Sequence, residues 1–218
     1  MIHSKFLQPV LACLAILASS LSPAVLSPTA AREPVRILAF GDSLTAGYGL
    51  PDKDGFAAQL ADALAKMGRP AVVINGGVSG DTSAGGAQRI DWALADKPEI
   101  VILELGANDA LRGLDPSAMK ANLQAIAQRA KASGAQVLLA GMLAPRNLGP
   151  DYVAAYDAVF PELAKAESID LYPFFLDGVA GDQALNQADG IHPTAEGVAI
   201  IVQRLLPSLT KIMDRLPE

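Results

Sequence analysis

From Val35 onward, short apolar runs alternate with longer segments of helical spacing, an order that few folds accommodate. Residues 35–40 form a short apolar run ending at Gly41, as a buried strand should. Residues 71–74 predict a second strand, which runs into the glycine-rich stretch 76–80. Further strands are predicted at 100–105 and 136–141, with a short one near 169–171. A helix is predicted over 56–67, where Phe56, Leu60, Ala63, Leu64 and Met67 share a face and Gly68 and Pro70 close the end. Others are expected around 87–95, 152–166 and 194–206. Asp115-Pro116 opens one more, with an N-cap and a first-turn proline, running to 132 before Gly134. Strands alternating with helices imply a parallel sheet covered on both faces. The expectation is one three-layer α/β domain over residues 32–218, without internal repeat or interdomain linker.

Residues 1–31 read differently. Lys5 precedes an apolar run at 10–18 of the length of a signal-peptide core, which Ser19, Ser20, Ser22 and Pro23 then break. Small residues at Thr29 and Ala31 suit cleavage after Ala31, with Ala24 as a second candidate. The run is shorter than the roughly 20 apolar residues a membrane span needs. Lipoprotein processing at Cys13 is disfavoured because the apolar run continues past it. The reading is a bacterial signal peptide over 1–31 and a periplasmic or secreted product, with no stable membrane insertion after cleavage.

Cleavage narrows the chemistry. It removes the single cysteine, Cys13, and one of the two histidines, His3, leaving His192 as the one imidazole. A disulfide and a zinc site of the usual Cys/His type are then excluded by residue supply. The whole chain carries a net charge of −6, whereas a nucleic-acid partner calls for a basic face. With 51% hydrophobic and 18% charged residues, the chain has material for a full core.

Open parallel sheets place their sites beyond the carboxyl ends of the strands. The residues there are Gly41-Asp42-Ser43, Ser79-Gly80-Asp81 and Gly106-Ala107-Asn108-Asp109, and a fourth polar cluster, Asp189-Gly190-Ile191-His192-Pro193, precedes the last helix. Imidazole is the natural general base near neutral pH, and Asp189 can reach back to accept its Nδ1–H. Ser43 follows the first strand directly and needs such a base to become a nucleophile. Gly80 can offer a backbone N–H at close approach, and Asn108 a side-chain amide, to a developing oxyanion. Singly, each has a plain alternative: a helix-capping histidine, a capping serine, a tight-turn glycine, a loop-stabilising asparagine. Their convergence on one rim is what favours chemistry.

The four clusters resemble the ordered blocks of the SGNH (GDSL) hydrolase family. Gly41-Asp42-Ser43-Leu44 resembles the signature block, Gly80 falls in the second, Gly106-Ala107-Asn108-Asp109 is similar to G-x-N-D, and Asp189-x-x-His192 to D-x-x-H. The longer stretches 41–49 and 189–193, with Leu111-Arg112-Gly113-Leu114 and Tyr172-Pro173-Phe174-Phe175, are similar to its periplasmic thioesterase I / lysophospholipase L1 / arylesterase branch. The resemblance implies a flavodoxin-like α/β/α sandwich and a catalytic triad of Ser43, His192 and Asp189. It implies an oxyanion hole from the Ser43 and Gly80 N–H groups and the Asn108 amide, and a carboxylic ester or thioester as substrate, small or lipid. No metal or other cofactor is expected.

Ser79 is the rival nucleophile, but Asp81 stands where G-x-S-x-G needs its last glycine. A nucleotide-binding module would need G-x-x-x-x-G-K-[ST], or G-x-G-x-x-G after a strand, and neither occurs. A carbohydrate O-acetyl esterase and a non-catalytic binding protein on the same fold remain as alternatives. Trp92 is expected to pack against the sheet and Arg112 to meet only a neighbouring carboxylate or carbonyl. Residues 142–145 and 176–185 are expected to border an acyl pocket.

Overall fold

In the computed structural model the described residues are 1–3 and 33–217. Residues 4–31 of the expected signal segment, with Lys5, Cys13 and both candidate cleavage positions, lie outside them. Five strands, β1 (Val35–Gly41), β2 (Ala71–Gly77), β3 (Ile100–Glu104), β4 (Gln136–Ala140) and β5 (Asp170–Tyr172), form one parallel sheet in the order β2-β1-β3-β4-β5. Every residue of β3 is buried, as a central parallel strand covered on two faces requires. That is why its sequence reads as an unbroken apolar run up to Glu104.

The helices are α1 (Ser43–Ala46), α2 (Phe56–Lys66), α3 (Ser83–Ala93), α4 (Ala107–Leu111), α5 (Pro116–Ala132), α6 (Pro150–Glu167) and α7 (Ala195–Met213). The chain leaves β1 towards one edge of the sheet, reaches β2, then returns across to β3, β4 and β5. Right-handed crossovers therefore put α2 on one face and α3, α5 and α6 on the other. In agreement, α3, α5 and α6 pack side by side while α7 packs on α2. The direction reverses at β1, whose neighbours are β2 and β3, and that switch point is where an open α/β sheet leaves a crevice. The three-layer expectation holds.

Three local expectations are corrected. The third helix begins at Ser83, four residues before the sequence suggests, with the Thr82 hydroxyl capping it through the Gly85 N–H. Gly85-Gly86 imitates a loop in sequence, yet Gly86 sits where an added Cβ would fall 2.3 Å from Leu105, so glycine allows the helix to approach the sheet. The last helix runs through Pro207 to Met213 instead of stopping near Leu206. Leu209, Ile212 and Met213 are buried beyond the proline, and this apolar face outweighs one lost backbone hydrogen bond. Trp92 is not against the sheet at all; it is 82% exposed on the outer side of α3.

Candidate active site

The site begins where β1 ends. An added Cβ on Gly41 would lie 2.1 Å from the Thr45 hydroxyl and 2.5 Å from a Glu104 carboxylate oxygen, so only glycine fits. Asp42 follows, fully buried, and caps α1 by accepting the Leu44 N–H at 3.0 Å. Ser43 is therefore the first residue of a one-turn helix, half-buried at the rim, and Gly47 ends that helix in the left-handed conformation.

Asn108 enters from the end of β3. Gly106 (φ +123°) makes the turn into α4, and its missing side chain leaves room for the Tyr156 hydroxyl, which would be 3.0 Å from an added Cβ. Asn108 Nδ2 donates to the second oxygen of Asp42 at 3.0 Å. An amide has two hydrogens, so this bond orients the group and leaves one for the cleft. The next residue, Asp109, is buried and braces α4 on α3 by accepting the Ser83 N–H at 2.8 Å and its hydroxyl at 2.6 Å. Gly80 stands in a turn at φ +81°, and the Arg112 guanidinium donates to its carbonyl at 2.7 Å. Arg112 thus meets a carbonyl, as expected.

His192 and Asp189 sit in the loop before α7. Asp189 Oδ1 accepts the backbone N–H groups of Ile191 (2.9 Å) and His192 (3.0 Å), while Oδ2 lies 2.7 Å from His192 Nδ1. These bonds, the backbone ones first, hold the Asp189 carboxyl well below the usual carboxylate range. The opposite ring nitrogen, Nε2, lies 2.9 Å from Ser43 Oγ. A chain of serine, imidazole and carboxylate results, with the carboxylate fixing the ring orientation.

A cleft of about 260 Å³ opens beside this chain. Ser43, Gly80, Asn108 and His192 line its polar end; Leu111, Met142, Leu143, Pro145 and Leu176 line the rest. Ser79 also borders the cleft, but the imidazole is bonded to Ser43. The structure thus brings Ser43, Gly80, Asn108 and His192 to one place, with Asp189 joined through its contact with His192, whereas of the loops expected to border the pocket only Met142, Leu143, Pro145 and Leu176 line it. Among the described residues, no cluster of three or more metal-ligating side chains occurs.

Sequence reasoning missed the support beneath. Glu104, at the end of β3, is fully buried; its Oε2 accepts the Thr45 hydroxyl at 2.8 Å, and its Oε1 has no hydrogen-bond partner. Burial, and then the neighbouring Asp42, push its carboxyl well up, so it holds a proton where an exposed glutamate would not. Arg89 of α3 donates to the carbonyls of Gly41 (2.8 Å) and Gly76 (2.7 Å) and to Asp81 (2.6 Å), with its guanidinium 4.0 Å above the Phe40 ring. A buried acid on a core strand reads as an exception in sequence and as a linchpin in three dimensions.

Burial pushes Asp42 up to about 6, against the pull of the Leu44 N–H and the Asn108 amide. Its folded pKa exceeds its unfolded value, so its contribution to stability falls as pH rises from about 4 to about 6. In Asp42→Asn that dependence should vanish. Measured by thermal melts, the parent should lose stability relative to the variant across this window; groups that do not interact with Asp42 cancel in the comparison, and Glu104, whose carboxyl Asp42 helps to push up, adds to the difference in the same direction.

An α/β/α sandwich carrying a Ser-His-Asp chain at its switch point defines a class, and the comparisons specify it. Residues 39–200 match the GDSL-like lipase/acylhydrolase family. Esterase TesA of Pseudomonas aeruginosa is 41% identical over 199 residues, covering 91% of this chain and 98% of that protein. An arylesterase of Vibrio mimicus is 36% identical, covering 84% and 92%. The crystal structure of TesA has a TM-score of 0.78 at 43% identity, covering 81% of this chain and 99% of that one. The esterase EstA from Pseudoalteromonas sp., in a structure inhibited by monoethylphosphonate, has a TM-score of 0.78 at 33% identity, covering 83% and 99%. The chain belongs to the GDSL-like lipase/acylhydrolase (SGNH hydrolase) family.

Proposed function

We propose that the protein is an esterase that hydrolyses carboxylic esters, and thioesters of similar shape, through an acyl-enzyme on Ser43. The observation that carries this reading is the 2.9 Å contact from Ser43 Oγ to His192 Nε2, backed by the 2.7 Å contact from Nδ1 to Asp189, at the mouth of an apolar cleft. His192 takes the hydroxyl proton as Ser43 attacks the carbonyl carbon, and Asp189 stabilises the imidazolium that forms. The tetrahedral oxyanion is held by the Ser43 and Gly80 N–H groups and the free hydrogen of the Asn108 amide. His192 then returns the proton to the departing alcohol or thiol. Water, activated by the same imidazole, releases the acid and restores Ser43.

The esterase and arylesterase names of the relatives support this chemistry. The apolar lining, which includes Leu111, Met142 and Leu176, favours an apolar acyl or aryl group in the cleft over the polar sugar of a carbohydrate O-acetyl ester. Hydrolysis of p-nitrophenyl esters from acetate to palmitate, by parent and Ser43→Ala, tests the reading: activity should be present in the first and absent in the second. Leu143, 40% exposed in the cleft wall, should set length. Leu143→Trp is expected to shift the preferred ester towards shorter chains, and an unchanged profile would remove Leu143 from the acyl pocket.

Residues 1–31 are proposed to direct export and to be cleaved after Ala31, giving a periplasmic or secreted enzyme. Among the described residues no helix is long and apolar enough to cross a membrane. N-terminal sequencing of the protein recovered from the periplasm or medium should begin at Arg32.

A further inference from the structure

Asp189 and His192 are carried by a loop without regular secondary structure, and the Asp189 side chain is 38% exposed. Asn186 and Pro193 of the loop are buried, but a direct link to the nucleophile turn is what would hold Nε2 at its 2.9 Å from Ser43 Oγ. One side chain is placed to do it. The Gln187 amide nitrogen donates to the Tyr48 carbonyl at 2.8 Å, just past the nucleophile turn, and to the Pro193 carbonyl at 3.0 Å, just past His192. Its own backbone N–H donates to the His192 carbonyl at 2.7 Å.

Among the described residues, the bond from Gln187 to Tyr48 is the one hydrogen bond, apart from Ser43 to His192, that joins residues 186–193 to residues 43–50. The Tyr48 ring, its backbone fixed by this bond, lies against the imidazole with centroids 4.5 Å apart. The opposite loop is shaped to admit the glutamine: a Cβ on Gly49 would fall 2.3 Å from Gln187 Oε1. Both amide hydrogens are engaged on backbone carbonyls, a task a carboxylate of the same size cannot perform.

We propose that Gln187 is a positioning residue, an amide clamp that locks the loop carrying Asp189 and His192 onto the nucleophile turn and so sets the Ser43–His192 distance. It touches neither substrate nor the reacting atoms. Its effect is on the orientation of the base, where misplacement by about 1 Å costs on the order of 100-fold in rate. The inference rests on the reading of Ser43 as nucleophile and His192 as base.

The test compares parent, Gln187→Ala and Gln187→Glu, with Ser43→Ala as control. Each is assayed for kcat and KM on a p-nitrophenyl ester and for its rate of phosphonylation by ethyl p-nitrophenyl ethylphosphonate. In that reaction Ser43 Oγ bonds to phosphorus, p-nitrophenolate leaves, and the hydroxyl proton passes to His192. The clamp predicts a fall of about 100-fold in kcat for both variants, KM within about twofold, and a matching fall in phosphonylation rate. Full activity in Gln187→Glu would overturn the donor role, because volume alone would then suffice. A raised KM with unchanged kcat would make Gln187 a substrate contact, and a lowered Tm with unchanged rates would make it an ordinary brace; either overturns the proposal. Failure of the parent itself to be phosphonylated on Ser43 would instead bring down the reading of the site, and the clamp with it.

Discussion

His192→Ala is expected to lower kcat for a p-nitrophenyl ester by about 10⁴- to 10⁶-fold while leaving KM nearly unchanged. The size follows from supply as much as from geometry. His192 is the sole imidazole among residues 33–217, and among the described residues it is the one side chain hydrogen-bonded to Ser43 Oγ. Without it the Ser43 hydroxyl must attack at its own high pKa. Asp189 left behind keeps its backbone bonds to residues 191 and 192, so the loop should survive the substitution and Tm should change little. Steady-state kinetics together with a melting curve check both halves of the expectation. A variant that keeps more than about a tenth of the parent rate would mean that the imidazole does not serve as the base.

The second large effect is expected at Asn108. Asn108→Ala should reduce kcat by about 10²- to 10³-fold, or about 3–4 kcal/mol of transition-state stabilisation, with little change in KM. Here the ground-state structure matters: the amide is already turned by its bond to Asp42, so its second hydrogen needs no reorganisation when charge develops. Asn108→Asp should be at least as damaging. It places a second carboxylate against buried Asp42 and offers the oxyanion an acceptor in place of a donor. An equal rise in KM with kcat preserved would place Asn108 in substrate binding instead.

Much of this was legible in the sequence, for physical reasons. The sheet could be read because a parallel strand buried on both faces must be a near-continuous apolar run, as in β3 and, past Arg36, in β1. Ser43, Gly80, Asn108, Asp189 and His192 could be found because few residues could do the chemistry and all fell at strand ends or in the loop before the last helix. What failed were rules of local propensity overridden by packing. The glycine pair in α3 and the proline in α7 look like breaks, yet a close helix–sheet contact and a buried apolar face carry the helices through them. Trp92 was expected against the sheet as part of a helical segment, but the helix turns it outward and it is exposed. Glu104 and Gln187 escaped because their partners, a threonine hydroxyl 59 residues away and backbone carbonyls, leave no spacing to recognise.

Asp42 is the joint of the site. Its two oxygens cap the helix that presents Ser43 and orient the amide of Asn108, so nucleophile and oxyanion donor share one rigid reference. Glu104 beneath ties the same helix to the central strand through Thr45.

The most direct test of the account is mass spectrometry of the protein after reaction with ethyl p-nitrophenyl ethylphosphonate. One adduct per chain, mapped to the peptide carrying Ser43 and absent from Ser43→Ala, is the predicted result. An adduct on Ser79, or none on a folded protein that hydrolyses esters, would contradict it.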